Sequence, residues 1–142
     1  MVNLVRILRL LTIASLPLFP VVAFSAPGEI DGEWRGTSVC TNRQVAPACT
    51  DERVHYLFSR RGTDAGVVHA DARKLIGATY ESMGEMDFAY STADDEWSSL
   101  IETPRVKARW SFRVVKGELT GMLVDQPTGA QVRKVTASRW KQ

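Results

Sequence analysis

From Val106 to Val114 apolar and polar side chains alternate without a break. Val106, Ala108, Trp110, Phe112 and Val114 stand on one side, and Lys107, Arg109, Ser111 and Arg113 on the other. A period of two sorts these sets onto opposite faces of an extended strand, one buried and one wet, which no helix can do. Lys116-Gly117 then supplies a tight turn, and the chain runs back from Leu119 to Asp125 as the second strand of a hairpin. After the turn signal Gln126-Pro127-Thr128-Gly129, a last strand covers Gln131 to Ser138. These three segments read as an antiparallel meander.

The same pattern runs upstream. Gly32 to Cys40 is a strand with Trp34, Gly36 and Ser38 on one face, and Val54, Tyr56 and Phe58 alternate with Arg53, His55 and Leu57 in the next. Arg60-Arg61-Gly62-Thr63-Asp64 turns into a strand around Val67 to Asp71. Glu85 to Tyr90 and Trp97 to Ile101 flank the turn Ser91–Asp95. Ala72 to Ser82 is open between a short helix, a bent strand and a loop: Ala, Arg, Lys and Leu favour the first, Gly77, Ile76 and Thr79 the others. About eight strands at even spacing predict an all-β fold, a single antiparallel up-and-down barrel. Closure removes the exposed edges that would recruit other chains. An interior of this size is either filled by side chains or open to one small ligand.

The first residues belong to a different kind of segment. Arg6 and Arg9 precede an apolar run from Leu10 to Val22, followed by Ala23-Phe24-Ser25-Ala26. This is the layout of a secretory signal peptide over residues 1–25, with Ala23/Ser25 as the small pair before cleavage at Ala26 and Val21/Ala23 as a second candidate. The run is too short, and too interrupted by Pro17 and Pro20, for a span of roughly 20 residues. The expectation is an exported, soluble barrel domain over residues 26–142, periplasmic or secreted, in a bacterial setting.

Export fixes how charge and cysteine are weighed. The chain holds 18 Lys+Arg and 16 Asp+Glu, but two of the bases leave with the signal, so the mature protein is neutral. That gives no reason to expect nucleic acid or anionic membranes as partners. Acids predominate from Pro27 to Glu102 and bases from Thr103 onward; such halves either neutralise each other across one sheet or make a dipolar surface that steers a ligand. Cys40 and Cys49 are the two cysteines. In an oxidising compartment such a pair is expected to form a disulfide, worth roughly 2.5–3 kcal/mol in the chain-entropy account.

Catalytic and metal signatures are weak. His55 and His69 lie on neighbouring strands near Asp71, but no third ligand stands at a telling spacing, and alternation turns His55 toward solvent. Asp94-Asp95-Glu96 sits in a turn, where acids are ordinarily solvated. No Gly-x-Ser-x-Gly frame, phosphate loop or paired-carboxylate pattern occurs. The expectation is a protein that is not an enzyme and carries no cofactor or metal.

Gly32-Glu33-Trp34 near the mature start, with Arg133 and Arg139 near the end, resembles the calycin arrangement of lipocalins and their fatty-acid-binding and avidin-like relatives. There a Gly-x-Trp opens the first strand and a late arginine packs on the ring at the closed end of the barrel. The resemblance implies Trp34 as floor residue with Arg139 or Arg133 as its cation–π partner, and an interior that holds a small ligand. The chain is shorter than most lipocalins, and its cysteine pair falls in the first hairpin. Small periplasmic protease inhibitors with a Gly-x-Trp start share the length and compartment.

Two functions follow. In the first, some of Met86, Phe88, Tyr90, Trp97, Trp110 and Phe112 line an apolar cavity for a small apolar or amphipathic ligand, rather than simply filling the barrel. In the second, the protein binds an envelope or secreted protein, as an inhibitor or accessory factor. It would do so through the Cys40–Cys49 hairpin, the Ala26–Asp31 segment or an outward basic stripe of Lys107, Arg109 and Arg113. Three unpartnered cations inside the barrel would be too costly. A barrel with no ligand of its own is the third possibility.

Overall fold

The computed structural model describes residues 30–141; the signal peptide expected over residues 1–25 lies outside them. Eight strands follow in order: β1 (Gly32–Cys40), β2 (Glu52–Ser59), β3 (Val67–Ile76), β4 (Thr79–Ser91), β5 (Glu96–Glu102), β6 (Lys107–Val115), β7 (Glu118–Asp125) and β8 (Gln131–Arg139). Each pairs antiparallel with its neighbour in sequence, and β8 returns to β1, so the sheet closes as an up-and-down barrel. No helix among the described residues is long and apolar enough to cross a membrane.

The alternation read in the sequence sets which side chains point inward. Trp34, Val54, Tyr56, Phe58, Val68, Phe88, Trp97, Phe112, Leu119 and Val135 form one continuous core. The β6–β7 turn takes positive φ at Lys116 and Gly117, 50° and 80°, as the two-residue turns that match strand twist require. At Gly36, where β1 meets β8, a Cβ would stand 2.0 Å from the Thr136 carbonyl oxygen. Only a glycine lets the two closing strands approach that far.

Ala72–Ser82 is two strands rather than a helix or loop. β3 continues to Ile76 and β4 starts at Thr79, with Leu75 opposite Tyr80 and Ile76 opposite Thr79. Pairing along a neighbouring strand outweighs the local helical preference. The register shifts here: Ala72 faces Gly84 and Arg73 faces Ser82, leaving Met83 as an extra residue on β4.

Cys40 and Cys49 form the expected disulfide, a bond that persists in oxidising compartments. It closes the β1–β2 loop, which Asp51 also ties down by accepting from the Cys40 amide at 2.8 Å. This loop and the β3–β4, β5–β6 and β7–β8 turns surround one end of the barrel. The opposite end carries Ile30 and the start of β1.

Candidate functional site

The Ile30 end is closed. Trp34 is fully buried, and its indole N–H donates to the Ile30 carbonyl at 2.8 Å. The Arg139 guanidinium lies 4.4 Å from the centre of the Trp34 ring, and its Nη1 donates to the Asp31 carbonyl at 2.6 Å. A second stack stands beside it: Arg60 covers Trp97 at 4.9 Å and binds the Asp31 carboxylate at 3.0 Å. Asp31 therefore holds both arginines of the floor. Arg60 carries no motif, and the sequence offered no signal for its role.

Above the floor Phe58, Phe88 and Phe112 meet edge to face, with centroids 5.3–6.1 Å apart. Trp110 stacks on Phe112 at 5.5 Å, and Tyr56 meets its edge at 5.3 Å. Over this aromatic layer lies a cavity of about 310 Å³, lined by Tyr56, Ala70, Ala72, Met83, Gly84, Glu85, Met86, Phe88, Ile101, Trp110 and Phe112. The space exists because β3 turns Ala70 and Ala72 inward where larger side chains would fill it. Of the six aromatic and methionine positions singled out in the sequence, Met86, Phe88, Trp110 and Phe112 surround this cavity. Tyr90 and Trp97 do not: they pack together at 5.0 Å at the closed end. Periodicity identifies the inward face but not the height along the barrel, which depends on strand stagger.

A second chamber of about 390 Å³ adjoins the first toward the open end. Its walls are Ser38, Glu52, Tyr56, Lys74, Ser82, Met83, Trp110 and Arg133. Arg133 is here, at the far end from Trp34, so Arg139 is the floor partner and Arg133 is not. The Arg133 guanidinium contacts Glu52 at 3.2 Å, donates to the Ser38 hydroxyl at 2.8 Å and to the Thr50 carbonyl at 2.9 Å. Lys74 reaches the other oxygen of Glu52 at 3.4 Å. Lys74, Glu52 and Arg133 are inward because the alternation carries charges to the ends of β3, β2 and β8. Segments with such ends read as surface until the barrel is closed around them.

Tyr56 lies between the chambers. Burial pushes its phenol well above the ordinary range, an effect opposed by the charge of Arg133 and reinforced by Glu52. The unfolded phenol ionises near 10, while the folded one keeps its proton to higher pH. This contribution is complete below pH 10 and is lost as pH rises toward the folded value. The expected loss is about 1 kcal/mol between pH 10 and pH 11. Urea unfolding at pH 9, 10 and 11 should show this slope in the wild type and a correspondingly shallower one in Tyr56→Phe. Parallel curves would contradict the assignment.

The outer face disposes of the remaining candidates. Lys107, Arg109 and Arg113 are outward, and β5 supplies acids to each: Glu102 to Lys107 at 3.4 Å, and Glu96 to Arg109 and Arg113 at 2.9 and 3.3 Å. Two carboxylates thus largely neutralise the stripe. His55 is not solvated, being 8% exposed. Tyr80, from the extended β3–β4 hairpin, covers it at 5.4 Å between centroids, and Glu33 binds its Nε2 at 3.1 Å. His69 stands four positions along β3 from Arg73, the residue opposite His55, and contacts Asp87 and Glu85 at 2.7 and 3.2 Å. Asp94 and Asp95 accept from Ser91 and Tyr90 at 2.8 and 2.6 Å, while Glu96 faces the arginines. Among the described residues no group of three or more His, Cys, Asp or Glu side chains, the His69, Glu85 and Asp87 set included, is arranged so that it could hold a metal ion.

The sequence matches no protein-family model and no curated protein. Among solved structures the chain is similar to a point mutant of the fluorescent protein UnaG, at 10% sequence identity and a TM-score of 0.48, covering 80% of this chain and 98% of that one. By its own strand order the chain is a closed eight-stranded antiparallel barrel, its floor made by Trp34 and Arg139.

Proposed function

We propose that this protein is an exported, non-catalytic carrier of a small amphipathic molecule, acting as a mature barrel that begins near Ala26. The observation that carries this reading is the pair of adjoining chambers of opposite character. The inner one offers Ala70, Ala72, Met86, Phe88, Ile101, Trp110 and Phe112 to an apolar body. The outer one offers Ser38, Glu52, Lys74 and Arg133 to a polar head. Small-ligand sites combine apolar walls with a few placed polar groups in this way. Two cations share one carboxylate, so a single anionic head balances the charge of the outer chamber. The protein-binding alternative loses support from its basic stripe, whose charges β5 already meets.

Decanoate and decanol share an apolar body and differ in the head, and titration calorimetry separates their contributions. Decanoate is expected to bind about tenfold more tightly, the worth of one charge-assisted hydrogen bond. Arg133→Met with Lys74→Met should erase that preference while retaining decanol binding. Failure of both probes to bind at millimolar concentration would dismiss the carrier reading.

A further inference from the structure

One wall of the barrel is incomplete where the inner chamber meets it. β4 has 13 residues and β5 has 7, yet their pairing covers only Ala89–Ser98, Tyr90–Trp97 and Ser91–Glu96. Every other pair of adjacent strands matches six or more residues. From Phe88 back along β4, and from Ser99 onward along β5, the two strands face each other without ladder partners. The cavity reaches this gap. Met83, Gly84, Glu85 and Met86 line it in unbroken succession, and Ile101 lines it from β5. Successive strand residues point to opposite faces, so a cavity touching all four wraps around the β4 edge rather than stopping at its inner side. Met83, the extra residue of the register shift, is 40% exposed, and Leu100 on the β5 side is 54% exposed. Each rim therefore carries an exposed apolar side chain, and on β4 Met83 stands beside the carboxylates of Glu85 and Asp87.

The open end offers a different surface. An apolar body passing there must cross Lys74, Glu52 and Arg133 and disturb the two ion pairs that converge on Glu52. Passage between β4 and β5 breaks no ladder pair, and the side chains at the gap are those of Met83, Glu85, Leu100 and Ile101. We infer that the ligand enters and leaves the inner chamber sideways, through the β4–β5 gap, while its head group settles toward the charged end. This rests on the carrier reading above.

Asp87 and Leu100 are the next outward positions past the Ala89–Ser98 pair, and neither lines the cavity. Asp87→Cys with Leu100→Cys, joined by a short thiol-bridging reagent and verified by mass, therefore ties the gap without filling the chamber. Stopped-flow binding of 8-anilinonaphthalene-1-sulfonate, an apolar anionic dye, is compared before and after bridging on the same protein. The expected result is a fall of about tenfold in both association and dissociation rates, with Kd changed by less than about twofold. Unchanged rates in the bridged protein would overturn the lateral route and leave the carrier reading standing. If the dye and decanoate both fail to bind the unbridged wild type, the carrier reading falls and the route with it. Should the double variant not fold, Leu100→Trp narrows the same rim by bulk and is expected to slow both rates, with unchanged rates again overturning the route.

Discussion

Trp34→Ala is expected to destabilise the barrel by about 3–5 kcal/mol, the range for truncating a fully buried aromatic side chain, and to lower the melting temperature by roughly 12–20 °C. Three losses combine. The ring is 0% exposed, so its removal leaves a cavity at the floor. The Ile30 carbonyl loses its indole donor, and the Arg139 guanidinium loses the face it covers. Arg139→Met removes the stacking on Trp34 together with the hydrogen bond to the Asp31 carbonyl, and should cost about 1–2 kcal/mol. Phe58, Phe88 and Phe112 lie between the floor and the cavity, so ligand affinity measured on the folded Trp34→Ala protein should stay within about twofold of wild type. Thermal and urea unfolding followed by far-ultraviolet circular dichroism measure the first effect. A loss below about 1 kcal/mol would mean that the Trp34 plug does not hold the closed end together.

Gly36→Ala is expected to be as damaging, through a methyl group alone. The new Cβ would sit 2.0 Å from the Thr136 carbonyl oxygen and 2.5 Å from the Ala137 Cα. Both obstacles are backbone, so no side chain can rotate out of the way. Relief requires β1 and β8 to part at the pairing that closes the barrel. Overpacking ordinarily costs 1–3 kcal/mol, and a backbone clash at this pairing belongs at or above the top of that range, about 3 kcal/mol. The melting temperature should fall by roughly 10–15 °C, and amide exchange should rise first along Arg35–Ser38 and Val135–Ser138. A variant as stable as wild type would show that the closure tolerates separation.

The eight strands were legible because each carries its own evidence. Alternation at Val106–Val114 and Val54–Phe58, with turn residues at Lys116-Gly117 and Gln126–Gly129, works over distances of a few residues. The Cys40–Cys49 bond was legible for the same reason: two cysteines nine positions apart have no competing partner. Ala72–Ser82 stayed open because its local signals disagree, and the deciding term was pairing between neighbouring strands, as of Leu75 with Tyr80. His55 was misplaced because alternation says which way a side chain leaves its strand and nothing about what arrives from elsewhere to cover it. Tyr80, 25 positions downstream, is what buries it.

The candidate site divides along the same line. By itself the sequence determined that this chain makes an antiparallel barrel with an apolar inward face, since strand, turn and inward face all follow from neighbouring residues, while Trp34 as a plug came from the resemblance of Gly32-Glu33-Trp34 to an opening Gly-x-Trp. The tertiary structure alone decided that Arg139 and not Arg133 sits on the plug, that Trp97 and Tyr90 lie below the cavity, and that Glu52, Lys74 and Arg133 meet inside the open end. It also decided where the wall is left open, between β4 and β5. The physical reason is stagger: closing a sheet into a barrel shifts each strand along the axis relative to the next. That shift sets which inward residues share a level, and no property of a single strand encodes it.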